Sequence, residues 1–196
     1  MDNSFSYMRN SKDGENGHHN NEFNDEPGWD DNESPDLSEL RNLFETELGA
    51  MYCIENALVE AWPNLIKYAT SPTLTETLTD HLQCTYKHVA KLFEIHSLLG
   101  KDIKQRECET VKSILRQAED VISHSRKGLV RDAAIILVAK KIEHYEISIY
   151  DTLYAYAMIL GEKKVACMLN QNLEDEKRTD LNLTAVSASF INPNTI

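Results

Sequence analysis

Apolar residues recur along this chain in steps of three and four over four long stretches, the spacing of one face of an α-helix. The first stripe is Leu40, Phe44, Leu48, Met51, Glu55, Leu58, Trp62 and Leu65. It predicts a helix that begins near Asp36 or Ser38, either of which can cap it, with Pro63 a candidate kink in the last turns. Ser71-Pro72 supplies a second N-cap with proline at the first helical position, and the helix it opens runs to Leu99, where Gly100 ends it. Its stripe is Leu74, Leu78, Leu82, Thr85, Val89 and Leu92, with His81, Cys84 and His88 along one edge. A polar connection over 101–107 leads to a shorter helix over 108–123, and Arg126-Lys127-Gly128 marks a turn. A long helix over 130–160 follows, stopped by Gly161, and a last helix covers 162–188. The last stripe is Val165, Leu169, Leu173, Glu176, Asp180 and Leu183.

No alternating Val/Ile/Thr run marks a strand, and Gly and Pro are few. The expected fold is therefore all-α: a ferritin-like four-helix bundle with an extra short crossover helix, over residues 36–190. The long connection between the second and third long helices suits that topology better than a simple up-down bundle. Residues 191–196 read as a flexible end.

Charge sharpens the boundaries. Net charge is −12, and residues 1–36 carry ten acidic and two basic residues, so −8 of it. Residues 1–35 have no apolar period and are expected to form a disordered acidic tail whose partner the sequence does not name. An acidic chain repels phosphate backbones, which argues against nucleic acid. No apolar run is long enough for a membrane span, and the N-terminus has no signal-peptide pattern. Cys53, Cys84, Cys108 and Cys167 form no CxxC pair and read as free thiols of a reducing, cytoplasmic compartment.

The stripes also carry acids. Glu55 lies on the first. Glu143 and Glu146 lie on the line Ile136, Ala139, Glu143, Glu146, Tyr150, Leu153, Ala157, and Glu176 and Asp180 lie on the last stripe. Five inward carboxylates would cost several kcal/mol each without counter-charge, and the same stripes hold no Lys or Arg. Two divalent cations would nearly balance them, as in bundle-core di-iron and di-manganese sites. The plainer alternative is that these are boundary carboxylates, with Lys140 or Lys141 turned onto Glu143. His88 is the natural ligand from the second helix; His81, Cys84 and His88 together are an alternative soft site for zinc. His144 points away from Glu146, as a hydrogen-bonded or interface histidine would. Tyr52, Tyr145, Tyr150, Tyr154 and Tyr156 surround the region. No GxSxG, P-loop, dinucleotide fingerprint or HExxH occurs.

Several segments resemble the YciF/YciE family of bacterial stress-induced, ferritin-like proteins: Tyr52-Cys53-Ile54-Glu55, His81-Leu82-Gln83-Cys84-Thr85, Arg131-Asp132-Ala133-Ala134, Glu143-His144-Tyr145-Glu146-Ile147, and Leu173-Glu174-Asp175-Glu176-Lys177-Arg178-Thr179-Asp180. The resemblance covers residues 37–186. It implies a rubrerythrin-like bundle, a homodimer and a di-iron centre with Glu55, His88, Glu143, Glu146, Glu176 and Asp180 as candidate ligands. Tyr145, Ile149 and Tyr156, opposite the carboxylate line, suit a dimer face. Gln83-Cys84 stands where the family reads Glu-Glu. That departure implies a lost carboxylate, and leaves open one metal, another metal such as manganese or zinc, or a metal-free, non-catalytic stress protein that keeps the fold.

Overall fold

The computed structural model describes residues 34–103 and 108–191. The expected acidic tail and C-terminal end lie outside them, apart from Ser34, Pro35 and Ile191. Five helices make up the described chain: α1 Pro35–Tyr68, α2 Pro72–Leu98, α3 Glu109–His124, α4 Leu129–Ile159 and α5 Lys163–Ile191. No strand occurs among the described residues, and the fold is the expected all-α bundle of four long helices with a short crossover.

Capping explains where the helices begin. Ser34-Pro35 repeats the Ser71-Pro72 arrangement, so α1 starts slightly earlier than Asp36, with the Ser34 side chain accepting from the Leu37 N–H. Ser71 does the same for Leu74 in α2. Pro63 lies exposed within α1 and does not end it.

The four long helices form a ring in which α1 packs on α2 and α4, and α5 packs on α4 and α2. The crossover α3 lies against α4 and, more lightly, α1. Arg41 at the start of α1 reaches Glu162 at the α4–α5 turn at 2.9 Å, while Thr70 and Ser71, just after α1, meet Asp132 in the first turn of α4. Thus α1 and α4 run antiparallel, which is what a crossover that travels the length of the bundle produces.

Asp132 fixes that end of the ring. Buried at 3% exposure, it accepts from the Thr70 N–H at 2.7 Å, the Thr70 hydroxyl at 2.6 Å and the Ser71 N–H at 2.9 Å. One carboxylate so satisfies two backbone donors at the junction of α1 and α2.

The core is lined by Phe44, Leu48, Met51, Leu58 and Trp62 of α1 and by Ile135, Ile142, Tyr150 and Leu153 of α4. In α2 the buried line is Leu74, Leu78, His81, Thr85, His88, Leu92 and Ile95, while Leu82 and Val89 are only half-buried. The expected stripe of α2 is thus corrected: the histidines are on the core face, not at its edge. Apolar residues flank that face on one side, and they drew the expected stripe towards themselves.

Candidate metal centre

Midway along the ring, α1, α2, α4 and α5 each send polar side chains into the core. Glu55, His88, Glu143, Glu146 and Glu176 are all fully buried, and His81 is 2% exposed. Their donor atoms fall into two groups: His81, Glu143, Glu146 and Glu176 in one, and Glu55, His88 and Glu176 in the other, with the atoms of each group within 4.8 Å of one another. Glu176 belongs to both. Its Oε1 lies 2.7 Å from His88 Nδ1 and its Oε2 lies 3.8 Å from His81 Nδ1. His81 Nε2 lies 3.1 Å from Glu143, and His88 Nδ1 lies 3.2 Å from Glu55.

None of these short approaches has the geometry of a ring N–H hydrogen bond. Among the described residues, eleven buried side-chain atoms lack a hydrogen-bond partner, and nine of them belong to Glu55, His81, His88, Glu143, Glu146 and Glu176. Both oxygens of Glu143, Glu146 and Glu176 are among the nine. Burial without partners is costly. Donor atoms that converge without bonding one another are what cation sites present.

The surrounding residues orient the donors. Asp175 Oδ2 lies 3.4 Å from His88 Nε2, and Arg178 pairs with the same carboxylate. A proton on Nε2 facing Asp175 leaves Nδ1 turned to Glu55 and Glu176, the carboxylate–histidine arrangement common behind metal ligands. The Thr179 hydroxyl donates to the Asp175 carbonyl at 3.2 Å, so its oxygen accepts from His81 Nδ1 at 3.2 Å, leaving Nε2 to face Glu143. Asn172 donates to the Tyr150 hydroxyl at 3.1 Å, and Tyr150 donates to Glu55 Oε1. The Trp62 ring meets His81 edge-on at 4.8 Å between centroids.

Titration follows from burial. Burial drives Glu143 and Glu146 well above the ordinary carboxylate range, and the charge of Glu176 adds to it. Glu55 is raised by burial, against the pull of His88. Burial also pushes Glu176 upward, but His88 and His81 outweigh it and its carboxyl is held low. His88, disfavoured by burial but bracketed by Glu176 and Glu55, is raised to about 10. For His81 burial outweighs the charge of Glu176, and its value is lowered. Without metal, a Glu176–His88 ion pair together with protonation of Glu143, Glu146 and Glu55 would neutralise the centre. Four carboxylates and two divalent cations would also balance, so the donor set fits such cations.

Of the expected residues, Glu55, His88, Glu143, Glu146 and Glu176 come together. Asp180 does not: its Oδ1 pairs with Lys140 at 2.6 Å and with His144 at 3.1 Å. The fold thus turns Lys140 onto Asp180 and Thr184, not onto Glu143, and Lys141 is exposed. His144 is exposed, as expected of a residue facing away from Glu146. His81, Cys84 and His88 form no joint soft site. The histidines belong to different groups, and Cys84 sits half-buried in an α2–α5 groove lined also by Glu76, Asp80 and Arg178. Gln83 is exposed, and Cys84 is half-buried and outside both donor groups. Of the five tyrosines, Tyr150 bonds a cluster carboxylate.

A four-helix bundle with acids and histidines converging from all four long helices defines a ferritin-like protein with a buried carboxylate–histidine cluster. The chain belongs to the family described as domain of unknown function 892, whose pattern matches residues 39–195. It is 32% identical over 157 residues to protein YciF of Escherichia coli K12, covering 80% of this chain and 95% of YciF. The crystal structure of the E. coli stress protein YciF matches with a TM-score of 0.76 at 32% identity, over 78% of this chain and 97% of that one. YcfI from Rhodopseudomonas palustris matches at 0.72 and 32% identity, over 78% and 97%. A Xanthomonas campestris protein, at 17% identity and 0.56, shares the fold over 80% of this chain and 99% of its own. No described helix is long and apolar enough to cross a membrane.

Proposed function

We propose that this protein is a cytoplasmic, ferritin-like stress-response protein whose buried cluster holds two iron or manganese ions and handles oxygen, peroxide or iron. The observation that carries the reading is the set of nine buried donor atoms without hydrogen-bond partners, divided into two groups that share Glu176. Iron or manganese bound there would supply one-electron redox chemistry between +2 and +3. The chain's own part is to hold and to orient. Asp175 and Thr179 set the free nitrogens of His88 and His81. Tyr150, held by Asn172, occupies one oxygen of Glu55 and leaves the other unpartnered. Glu143 and Glu146, once deprotonated, would supply carboxylate oxygens to such ions, and Trp62 helps exclude water from His81.

The test is elemental analysis after anaerobic Fe(II) or Mn(II) loading. The expected content is about two ions per chain, unchanged in Asp180→Ala and in Cys84→Glu. A content that stays near zero overturns the reading. The second reading, a non-catalytic stress protein that keeps the fold, is favoured by the way protons alone can neutralise the cluster. The dimer belongs to the same proposal. Tyr145, Ile149 and Tyr156 are half-buried, and the exposed Leu43 stands beside Ile149 and Tyr156. Sedimentation of the full chain is expected to show a dimer, and Ile149→Glu to weaken it.

A further inference from the structure

Outside the cluster, one pair of reactive side chains has no structural task that accounts for it. Cys53 of α1 and Cys108, the residue before α3, place their sulfurs 3.0 Å apart, and both are free thiols. Cys108 holds the N-cap position of α3, where an oxygen-bearing side chain would normally satisfy a backbone donor. It makes no such bond. Its side chain turns to α1, where the thiol donates to the Cys53 carbonyl at 3.6 Å. Cys108 is buried at 6% exposure, while Cys53 is half-buried and reaches solvent. The other two cysteines lie elsewhere, Cys84 on α2 and Cys167 exposed on α5.

We propose that Cys53 and Cys108 form a reversible dithiol–disulfide couple that is oxidised by hydrogen peroxide and fastens the start of α3 to α1. The Cys53 thiolate attacks one peroxide oxygen; the O–O bond breaks, and the departing hydroxide takes a proton to become water. Cys53 is then a sulfenic acid. The Cys108 sulfur attacks the Cys53 sulfur, the S–O bond breaks, and a second water leaves with the Cys108 proton. Two thiols are oxidised to one disulfide, and one peroxide is reduced to two waters. A small thiol reverses the bond by exchange. The division of labour follows from the setting. Burial and the neighbouring Cys53 push the Cys108 thiol up to about 11, which suits a resolving group better than an attacking one. The bond would matter most for α3, which packs mainly on α4 and only lightly on α1.

This inference does not rest on the metal centre, so its test uses chelator-treated, full-length protein. The protein is exposed to stepwise hydrogen peroxide, quenched with iodoacetamide, digested without reductant and analysed by mass spectrometry. The expected first product is a peptide pair linked through Cys53 and Cys108, about 2 Da lighter than the thiols, with Cys84 and Cys167 alkylated. Dithiothreitol should reverse it, and the oxidised form should melt roughly 5–10 °C higher. In Cys108→Ser, Cys53 should stop at the sulfenic acid and be trapped by dimedone. Alkylation of both Cys53 and Cys108 at peroxide doses that already oxidise Cys167 would overturn the proposal. So would a bond that joins Cys53 residues of two chains.

Discussion

Asp132 and Glu143 stand eleven residues apart on one buried face of α4, about three helical turns, and their carboxylates meet opposite surroundings. Asp132 accepts three hydrogen bonds from Thr70 and Ser71. Glu143 and, one turn on, Glu146 accept none on any of their four oxygens. An ionised carboxylate in a bundle core costs several kcal/mol unless something answers it. At Asp132 the chain provides the answer, from backbone donors left open where α1 ends and α2 begins. At Glu143 the chain provides His81 and more carboxylates, so the answer must come from outside, as protons or as cations. A buried acid alone therefore does not mark a binding site. A buried acid whose oxygens no donor has claimed is a candidate for one.

The largest effect is expected at Glu176, the residue both donor groups share. Glu176→Ala is expected to lower metal affinity by more than about 100-fold, because it removes a proposed ligand from each group. Competition against a chelator of known affinity measures it. An unchanged affinity would show that Glu176 is not shared in fact. Next is Asp132→Ala, which strands two buried N–H groups and is expected to cost about 3–5 kcal/mol of stability. Urea unfolding should find that loss equally with and without metal, and metal content per chain should not move. A loss confined to the metal-loaded form would mean the Asp132 end of α4 is coupled to the cluster. Smaller again is Asp175→Ala, which leaves the ligands in place but frees the His88 ring. Metal affinity should fall about 10–100-fold, with the circular dichroism spectrum unchanged.

Much of the fold was legible because α1 and α5 each carry a single stripe in steps of three and four. Those stripes alone put Glu55 and Glu176 on core faces. Glu143 and Glu146 followed from the line through Ile136, Tyr150 and Leu153. The legibility ends where a helix has apolar residues on neighbouring faces. In α2, Leu82 and Val89 masked the core line on which His81 and His88 lie. Periodicity groups Asp180 with Glu176 because four residues is nearly a full turn; it cannot see that Lys140 waits across the α4–α5 seam. Asn172 and Asp175 gave no signal as single polar residues, since their roles exist only through Tyr150 and His88. Asp132 bonds residues more than sixty positions away, and Cys53 meets Cys108 only because α3 folds back on α1. Such pairings are products of topology and are not written in local pattern.

The smallest expected effect concerns the metal-free protein, and it tests the comparison from the side of the fold. Burial first, then neighbouring carboxylates, raise Glu143 and Glu146 above the ordinary value of 4.5. A raised acid favours folding most when protonated. Its contribution is complete below pH 4.5 and is lost as pH rises through the elevated folded value. His88 acts in the same direction but later: its stabilisation is complete below about 6.5 and is lost as pH climbs through about 10. Glu176, held low by its histidines, contributes above 4.5 and loses that only as pH falls through its depressed value. Between pH 5 and 7 the dominant change should therefore be a fall in stability as the Glu143–Glu146 pair is asked to ionise. Glu143→Leu removes half of that demand. In chelator it is expected to be about 1–2 kcal/mol more stable than the parent at pH 7, and no more stable near pH 4. Urea unfolding at the two pH values measures both. Metal should reverse the parent's trend, because cations displace the same protons and bind more tightly as pH rises. A Glu143→Leu protein that is less stable than the parent at pH 7 without metal would mean that Glu143 is satisfied by the chain after all, as Asp132 is.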